Sequence, residues 1–421
     1  MKQFDQPHPR PASLTVFTTA GQLRATTGKQ CRLMNSSFGE PGRLLCGLLL
    51  LLSLWAGCLR AHAAVLDNTF NPGAQGNIFA LAVQADGKIL IGGDFTSLGG
   101  QTRNRLGRLN ADGTLDGAFN PGVGGEIFPT VYCLAVQADG KILVGGEFTT
   151  LGGQSRSGIG RLNADGTVDT TFNPGVDGDS PSVYSLALQA DGKILVGGGF
   201  TSLAGLTRNY IGRLNTNGTL DTAFNPNPDW VVFSLAVQTD GKILVGGEFE
   251  TLGGQARANI GRLNATGSLD TSFNPGATGS IYPAVYSLAL QADGKILVGG
   301  DFTTLGGQSR NNIGRLNSNG TLDTFNPEAG DFVESLAVQT DGKILVGGAF
   351  TTLAGQTRTH LGRVNADGSL DGTFNPTVSG SDFVSVSSLA PKPFTNWNSF
   401  RKWNRSVSCC EQEIFTLYVE P

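Results

Sequence analysis

The stretch "SLALQADGKILVGGGF", residues 185–200, is present in six close copies and decides the fold of this chain. The lysine of its Asp-Gly-Lys triplet recurs at intervals of 48 to 53 residues, at Lys88, Lys141, Lys193, Lys242, Lys295 and Lys343. A fixed period of about fifty residues predicts a repeat architecture, in which each copy is one supersecondary unit that packs on its neighbours.

Each copy is predicted to contain four short strands. In the third copy, residues 183–189 alternate large and small side chains, and Asp191-Gly192 then supplies a dipeptide favoured in tight hairpins. Residues 193–200 read as a second strand that is almost wholly apolar. "YIGRLN" and "TLDTAF" follow as the third and fourth strands, with the turn signal Asn217-Gly218 between them. No segment of the copy has a helical period or helix caps.

This pattern predicts an all-β protein, a β-propeller of four-stranded antiparallel blades with six complete repeats. The second strand is apolar on both faces, so each small sheet needs cover on both sides, which radially arranged neighbouring sheets provide. The paired glycines of "VGGGF" are expected where adjacent blades approach closely.

The ends of the repeat region, residues 64–390, suggest a seventh blade. "LDNTFNP" at 66–72 is an isolated fourth strand, and "FVSVSSLA" at 383–390 resembles another first strand. If the N-terminal strand completes that last blade, the two chain ends pair and hide sheet edges. Residues 391–421 carry none of the repeat motifs. A frameshift product, a truncated reading frame, a divergent cap and a six-bladed ring with a separate tail all stay open.

Residues 1–63 are predicted to be a leader. The uncharged run "LLCGLLLLLSLWAGCL" at 44–59 and the following "RAHA" are typical of a signal peptide that ends at Ala63. A start at Met34 gives an ordinary length, so residues 34–63 form the predicted signal peptide and 1–33 an over-extended start. A lipid anchor at Cys58 is the alternative, although Trp55 stands where a lipobox has leucine. Both predict an exported protein, secreted, periplasmic or at the cell surface, with no transmembrane segment in the mature chain.

Composition argues against several classes of function. The net charge is −4 and no Lys/Arg run occurs, so nucleic-acid binding has little electrostatic support. After the leader only three cysteines and one histidine remain, which is too few for a disulfide framework, a multi-histidine metal site or a Ser-His-Asp triad. Cys133 replaces a serine of other copies and is predicted to be a small buried residue, and His360 is predicted to lie at the surface.

The units, written as "LAVQADGKILVGGEF" at 134–148 and "GRLNADGTLD" at 107–116, resemble the delta-60 repeat family of bacterial β-propellers. The resemblance covers about residues 66–390. It implies a propeller of secreted or surface proteins, with no agreed activity and no catalytic motif to carry over. The fifth copy departs from the pattern, because "LDTFNP" at 322–327 is one residue shorter. We expect its fourth strand to have lost a bulge or shifted its register.

Two repeated motifs resemble functional sites, but a structural role is favoured for each. As a functional site, Asp-Gly-Lys would supply a carboxylate and an amine. A functional site rarely needs six identical copies, whereas every blade needs its hairpin, so the motif is predicted to be a turn with Lys193 at a solvated tip. "NADGTLD" at 110–116 resembles a calcium loop, but Arg108 stands where an acidic ligand is expected and Asp112 becomes Asn or Thr in other copies. No cofactor or metal is therefore predicted, with calcium as the weaker alternative.

Two arginines also recur in every copy, such as Arg156 and Arg161. They would line the channel for an anionic ligand or, as favoured here, pair with acidic residues one strand away. Arg161 is expected to pair with Asp169.

The connectors between copies differ most, and ligands generally bind at such variable loops. They carry the predicted ligand-contact residues Phe128, Asp177, Asp179, Trp230, Tyr282 and Asp331. These features favour a non-enzymatic binding or structural module with a protein or glycan partner, without catalytic residues.

The alternative is a propeller hydrolase or lyase that uses acidic residues at the channel face. Four acidic residues share one repeat position: Asp94, Glu147, Glu248 and Asp301. That position is read as a solvated strand end, because Gly199 and Ala349 replace the acid in two copies.

Overall fold

The computed structural model describes residues 66–67, 72–125, 128–376, 378, 384–391, 400–401 and 413–419. The predicted leader, with Ala63 and Cys58, lies outside these residues. Everything regular in the described part is β-strand, which confirms the all-β prediction. The described residues contain no helix that would be both long and apolar enough to cross a membrane.

Each of the six copies forms a three-stranded antiparallel sheet, with the second strand in the centre. The first strands are Ile78–Val83, Thr130–Val136, Val183–Leu188, Val232–Val237, Ala284–Leu290 and Val333–Val338. The second strands are Ile89–Gly93, Ile142–Glu147, Ile194–Gly198, Ile243–Gly247, Ile296–Asp301 and Ile344–Gly348. The third strands are Leu106–Leu109, Ile159–Leu162, Ile211–Leu214, Ile260–Leu263, Ile313–Leu316 and Leu361–Val364.

The Asp-Gly-Lys triplet forms the turn between the first and second strands, as predicted. Gly192 has a φ of 81°, a left-handed conformation that glycine adopts without strain. Its N–H donates to the carbonyl of Gln189 at 2.9 Å, and the Gln189 N–H donates to the carbonyl of Lys193 at 2.9 Å. The Asp191 carboxylate accepts the Lys193 N–H at 3.1 Å, so the aspartate also serves the turn.

The predicted fourth strand is reduced to one isolated bridge, such as Leu214 with Leu220. The backbone turns directly afterwards, because the Asp221 side chain accepts the Ala223 N–H at 3.2 Å. In the fifth copy the bridge from Leu316 to Leu322 is kept. The missing residue only shortens the turn, so the predicted register shift is wrong.

The glycine-rich link before each third strand forms a two-residue hairpin, which the sequence did not predict. These hairpins pair Ser97–Leu98 with Gln101–Thr102, Thr150–Leu151 with Gln154–Ser155, Ser202–Leu203 with Leu206–Thr207, Thr251–Leu252 with Gln255–Ala256, Thr304–Leu305 with Gln308–Ser309, and Thr352–Leu353 with Gln356–Thr357. In four units a short strand of the connector pairs with the first strand of this hairpin and makes a three-stranded sheet. These connector strands are Ala74–Gln75, Val123–Gly124, Val176–Asp177 and Ala277–Thr278. The connectors are therefore held against their own blades.

Neighbouring units pack through their first strands, which contact one another in chain order. The strand Val384–Pro391 contacts the first strands of both the sixth and the first unit, and Ala390 packs in the core of the first unit. The first glycine of each pair lies at these contacts, as predicted: a Cβ on Gly299 would stand 2.8 Å from Cγ1 of Val333 in the next unit, whereas a Cβ on Gly300 would meet the carbonyl of Ala284 in its own sheet.

The last sheet contains both ends of the repeat region, in the order Leu66–Asp67, Phe400–Arg401, Glu413–Val419 and Val384–Pro391. Its outer pairs are parallel, and only the central pair is antiparallel. The prediction of an antiparallel four-stranded blade is therefore wrong here, because residues after 391 insert two strands between the strands that were expected to pair.

Candidate functional site

The lysine of the Asp-Gly-Lys motif is bound within its own blade rather than free at a solvated tip. Lys193 Nζ donates to Asp221 Oδ2 at 2.8 Å, and the lysine side chain is 32% exposed. The same ion pair occurs in the other five units, in the pairs Lys88–Asp116, Lys141–Asp169, Lys242–Asp270, Lys295–Asp323 and Lys343–Asp371. The motif is thus a turn plus a structural cation, and the solvated-tip prediction is wrong.

The predicted pairing of Arg161 with Asp169 is confirmed, with Nε 2.9 Å from Oδ2. The guanidinium also lies 4.3 Å from the ring centre of Phe172, and Nη1 donates to the carbonyl of Thr216 in the next unit at 2.7 Å. Burial raises the pKa of Asp169, but hydrogen bonds from Lys141 and Thr171 and the charge of Arg161 outweigh it and hold that pKa well below its usual value.

The other recurring arginine is also buried and bound to backbone. Arg156 Nη1 donates to the carbonyl of Ser155 at 2.7 Å, and Nη2 donates to that of Asp169 at 3.2 Å. These contacts favour the structural role over a positive ring for an anionic ligand.

The "NADGTLD" loop does not have a donor set that fits calcium. Asp112 Oδ1 accepts both the N–H and the hydroxyl of Thr114, at 2.9 and 2.7 Å. Asp116 Oδ2 lies 3.0 Å from Lys88 Nζ and 2.9 Å from Arg108 Nε, so two cations stand where a metal ligand would need free lone pairs. Within the described ranges, no group of three or more His, Cys, Asp or Glu residues would hold a metal ion.

A belt of aromatic side chains on the first strands was missed by the sequence analysis. Its rings are 5.1 to 5.5 Å apart from one unit to the next, in the order Phe79, Tyr132, Tyr184, Phe233 and Tyr286. Each belt residue is skipped by the strand pairing: Val183 pairs with Gly198 and Ser185 with Gly197, which leaves Tyr184 as a β-bulge. Alignment of the copies would have shown an aromatic residue at this position in five of them.

The sixth unit has Glu334 at the belt position. Its Oε2 accepts hydrogen bonds from the hydroxyls of Ser385 at 2.9 Å and Ser387 at 2.6 Å, both on the strand Val384–Pro391. Burial raises the pKa of Glu334 to about 7 and outweighs the two serine hydrogen bonds, and the charge of Asp331 raises it further. The same alignment of copies would have identified this residue, because a glutamate replaces an aromatic side chain.

The acidic position at the end of the second strands adjoins the start of the first strands. Glu147 pairs with Thr130 and Asp301 with Ala284. Glu147 is half-buried, and burial raises its pKa although Ser182 and Tyr132 hydrogen-bond to it. The prediction of a solvated strand end is therefore wrong for Glu147. Among the described residues, neither Glu147 nor Glu334 has a Lys or Arg partner, in contrast to Asp169 and its five equivalents.

The predicted connector residues differ in exposure and contacts. Phe128, Trp230 and Tyr282 are 86%, 52% and 65% exposed, and Ile281 beside Tyr282 is 89% exposed. Asp177 and Asp331 each accept a backbone N–H of the following residue at 2.8 Å, as in a tight turn.

The structure brings Trp230 against Tyr210, which belongs to the third unit, and places the loop of Asp179 beside the Trp230 connector, because a Cβ added to Gly199 would be 3.9 Å from Ser180 O and 4.0 Å from Val231 Cγ2. The ring centres of Tyr210 and Trp230 are 5.9 Å apart. Burial raises the pKa of Tyr210, and the charges of Asp229 and Asp179 raise it further. No described contact joins Phe128 or Tyr282 to this group.

Cys133 and His360 have different outcomes. Cys133 is buried, as predicted, with Sγ 3.5 Å from the carbonyl of Val183, and burial raises the pKa of its thiol. His360 is half-buried rather than at the surface, with a φ of 65°, and burial lowers its pKa. The burial follows from its place at the start of the third strand, where its N–H donates to the carbonyl of Phe350 at 2.7 Å.

A family model described as a β-propeller domain of unknown function, DUF5122, matches six segments that together make up about half of the chain: residues 84–119, 137–172, 189–224, 238–273, 291–325 and 339–374. A comparison with curated proteins gives no match.

Solved structures with a similar fold include virginiamycin B lyase from Staphylococcus aureus, 14% identical, with a TM-score of 0.47 over 72% of this chain and 86% of that chain. A streptogramin B lyase is 17% identical, with a TM-score of 0.46 over 75% of this chain and 87% of that chain. The WD40 β-propeller domain of Doa1 is 17% identical, with a TM-score of 0.43 over 64% of this chain and 74% of that chain. These identities and TM-scores are too low to indicate a shared activity.

Proposed function

Because the chain belongs to the DUF5122 family of β-propeller repeats, whose function is unknown, we propose a function from its geometry. The protein is a non-enzymatic binding module of the delta-60 type, which contacts a protein or glycan ligand through its connectors and needs no cofactor. We also propose that it is exported, secreted, periplasmic or at the cell surface, because of the leader-like residues 34–63.

The exposure of large apolar side chains carries the proposal. Within the described residues five such side chains are exposed, and four of them lie on connectors: Phe128, Trp230, Ile281 and Tyr282. The phenylalanines on the strands of the blades are buried, so the chain does not expose apolar residues at random. Exposed aromatic residues on variable loops are typical of ligand and partner contacts.

The test is a screen of the full chain against a glycan array and a surface-displayed peptide library. A ligand found there should bind at least about tenfold more weakly to Trp230→Ala or Tyr282→Ala, because truncation of a central aromatic contact costs roughly 2 kcal/mol. Leu206→Ala is the control, since Leu206 is exposed on a hairpin and not on a connector. A ligand whose binding is unchanged by replacement of Phe128, Trp230 and Tyr282 contradicts the proposal.

A hydrolase or lyase is the second candidate, and one observation favours it. Glu147 and Glu334 have raised pKa values and hydroxyl partners but no basic partner among the described residues, which is a typical environment for a general acid. An activity screen on neutral and acidic polysaccharides tests this function. Any turnover should be lost in Glu147→Gln or Glu334→Gln and kept in Asp112→Asn, a change in an exposed turn. Turnover that survives both glutamine substitutions argues against these acids.

A further inference from the structure

Tyr210 and Trp230 form an aromatic pair between the third and fourth units. Their rings are 5.9 Å apart and inclined at 43°, and Trp230 remains 52% exposed despite this contact. Tyr210 has a φ of 62° at the start of the strand Ile211–Leu214, and Trp230 lies two residues before Val232–Val237. Two blades thus contribute one ring each.

The loop that carries Trp230 is held at several points. The side-chain amide of Asn209 donates to Asn227 Oδ1 at 2.9 Å, and the Gly253 N–H donates to the carbonyl of Pro226 at 2.7 Å. Asp229 Oδ1 accepts the N–H groups of Glu250 and Thr251, both at 2.9 Å. Pro226 and Pro228 restrict the backbone further. A partner would therefore meet a preorganised tryptophan, which lowers the entropy cost of binding.

The charged side chains beside this aromatic pair are carboxylates, and no described lysine or arginine pairs with them. Asp229 directly precedes Trp230, and the residues that follow Asp179 and Trp230 lie side by side: a Cβ added to Gly199 would be 3.9 Å from Ser180 O and 4.0 Å from Val231 Cγ2. Among the described residues, neither aspartate forms an ion pair. Asp229 uses only Oδ1 in its hydrogen bonds, so Oδ2 has no partner in the described part of the chain. The nearby basic residue, Arg208, is buried and donates to the carbonyls of Thr207 and Thr222 at 2.7 and 2.9 Å.

Resting on the proposed binding function, we propose that Trp230, Tyr210, Asp179 and Asp229 form a site for the guanidinium of an arginine in a basic segment of a partner protein. A guanidinium stacks on the face of tryptophan, the ring that attracts cations most strongly, and its N–H groups match carboxylate oxygens. Lysine fits less well, because its ammonium is a compact charge that does not stack on a ring and does not bind a carboxylate through two parallel N–H groups. A neutral sugar would leave both carboxylates without a counter-charge.

The experiment is a titration of the full chain with the peptide acetyl-Gly-Gly-Arg-Gly-Gly-amide, followed by NMR or calorimetry. Its citrulline analogue is the matched control ligand, because citrulline keeps the shape of arginine without the charge. We expect the citrulline peptide to bind at least about tenfold more weakly, and the affinity of the arginine peptide to fall as salt rises. Trp230→Ala, and the double change Asp179→Asn with Asp229→Asn, should each weaken the arginine peptide by about tenfold or more.

Two variants in the third unit are the controls for the protein. Leu206→Ala removes another exposed apolar side chain, and Asp191→Asn removes a carboxylate at the Asp-Gly-Lys turn. Both should leave the affinity unchanged, and circular dichroism should show that all variants are folded.

Three results would overturn the inference. Equal binding of the arginine and citrulline peptides would exclude the charge recognition. A neutral oligosaccharide such as maltopentaose that binds through Trp230, without any arginine binding, would exclude the arginine site but keep the connector-binding function. If no ligand of either class responds to the connector variants, both the inference and the proposed function fail.

Discussion

Two groups of buried or half-buried acidic side chains differ in their partners. Asp169 and its five equivalents each contact a lysine and an arginine, which compensates the cost of removing their charge from water. Glu147 and Glu334 have only hydroxyl partners, and burial raises the pKa of each. The aspartates of the first group stabilise every blade in the same way. Glu147 and Glu334 lack such cations among the described residues, so they are the candidates for a catalytic or pH-dependent role.

Asp169→Asn should lower the free energy of unfolding by about 3 to 5 kcal/mol, because it leaves the buried Arg161 without a counter-charge. Urea unfolding followed by circular dichroism measures the change. Asp165→Asn is the control, since Asp165 is exposed in a turn where other copies already have Asn217 and Asn319. The control should stay within about 0.5 kcal/mol of the original chain. Equal losses in both variants would show that the ion pair is not the cause.

Sheets in neighbouring units approach closely at the first of the two glycines in each second strand. The first glycine of each pair faces a valine of the next first strand, and the second faces a carbonyl of its own sheet. The glycines of the second strand therefore have a steric reason: two positions near the end of this buried strand have no room for a side chain.

Gly299→Ala should destabilise the protein by about 1 to 3 kcal/mol, because the new Cβ would stand 2.8 Å from Val333 Cγ1 and force the first strand of the sixth unit to shift. Thermal unfolding gives the difference. Gly372→Ala is the matched control: a Cβ there meets no atom within 4 Å. A Gly299→Ala protein as stable as the control would mean that adjacent units separate without cost.

Arginine side chains connect each of the first five units to the next, because the arginine of every third strand donates to a turn carbonyl of the following unit. These arginines are Arg108, Arg161, Arg213, Arg262 and Arg315. The contact between the sixth unit and the strand Val384–Pro391 has a different hydrogen bond: the hydroxyls of Ser385 and Ser387 donate to the Glu334 carboxyl. This junction is therefore the one in the described region that we expect to respond to pH near neutrality.

Stability at this junction should fall as the pH rises. The pKa of Glu334 is raised from 4.5 to about 7, so the folded chain holds a proton that the unfolded chain has released. The contribution is fully present below pH 4.5 and is lost as the pH rises through about 7. Between pH 5 and 8 the loss should be of the order of 3 kcal/mol.

Urea unfolding at several pH values, compared between the original chain and Glu334→Gln, isolates this contribution. The glutamine variant cannot ionise at position 334, so its stability should change less with pH over this range. Glu328→Gln is the control, because Glu328 is exposed and its removal should leave the pH dependence unchanged. Parallel pH profiles for the original chain and Glu334→Gln would contradict the assignment.

Sequence alone was enough for the first three strands of each copy, the Asp-Gly-Lys turn, the repeat count and the Arg161–Asp169 pair, but not for the hairpin before each third strand or for the loss of the fourth strand. Each of these depends on the alternation of side chains, on an Asp-Gly dipeptide or on residues one strand apart, and six copies repeat the same signal. The three-dimensional arrangement was needed for the contact between Lys193 and Asp221, for the Tyr210–Trp230 pair and for the bond from Glu334 to Ser385 and Ser387. These contacts join residues far apart in the chain or in different units, and no local pattern specifies which residues packing will bring together.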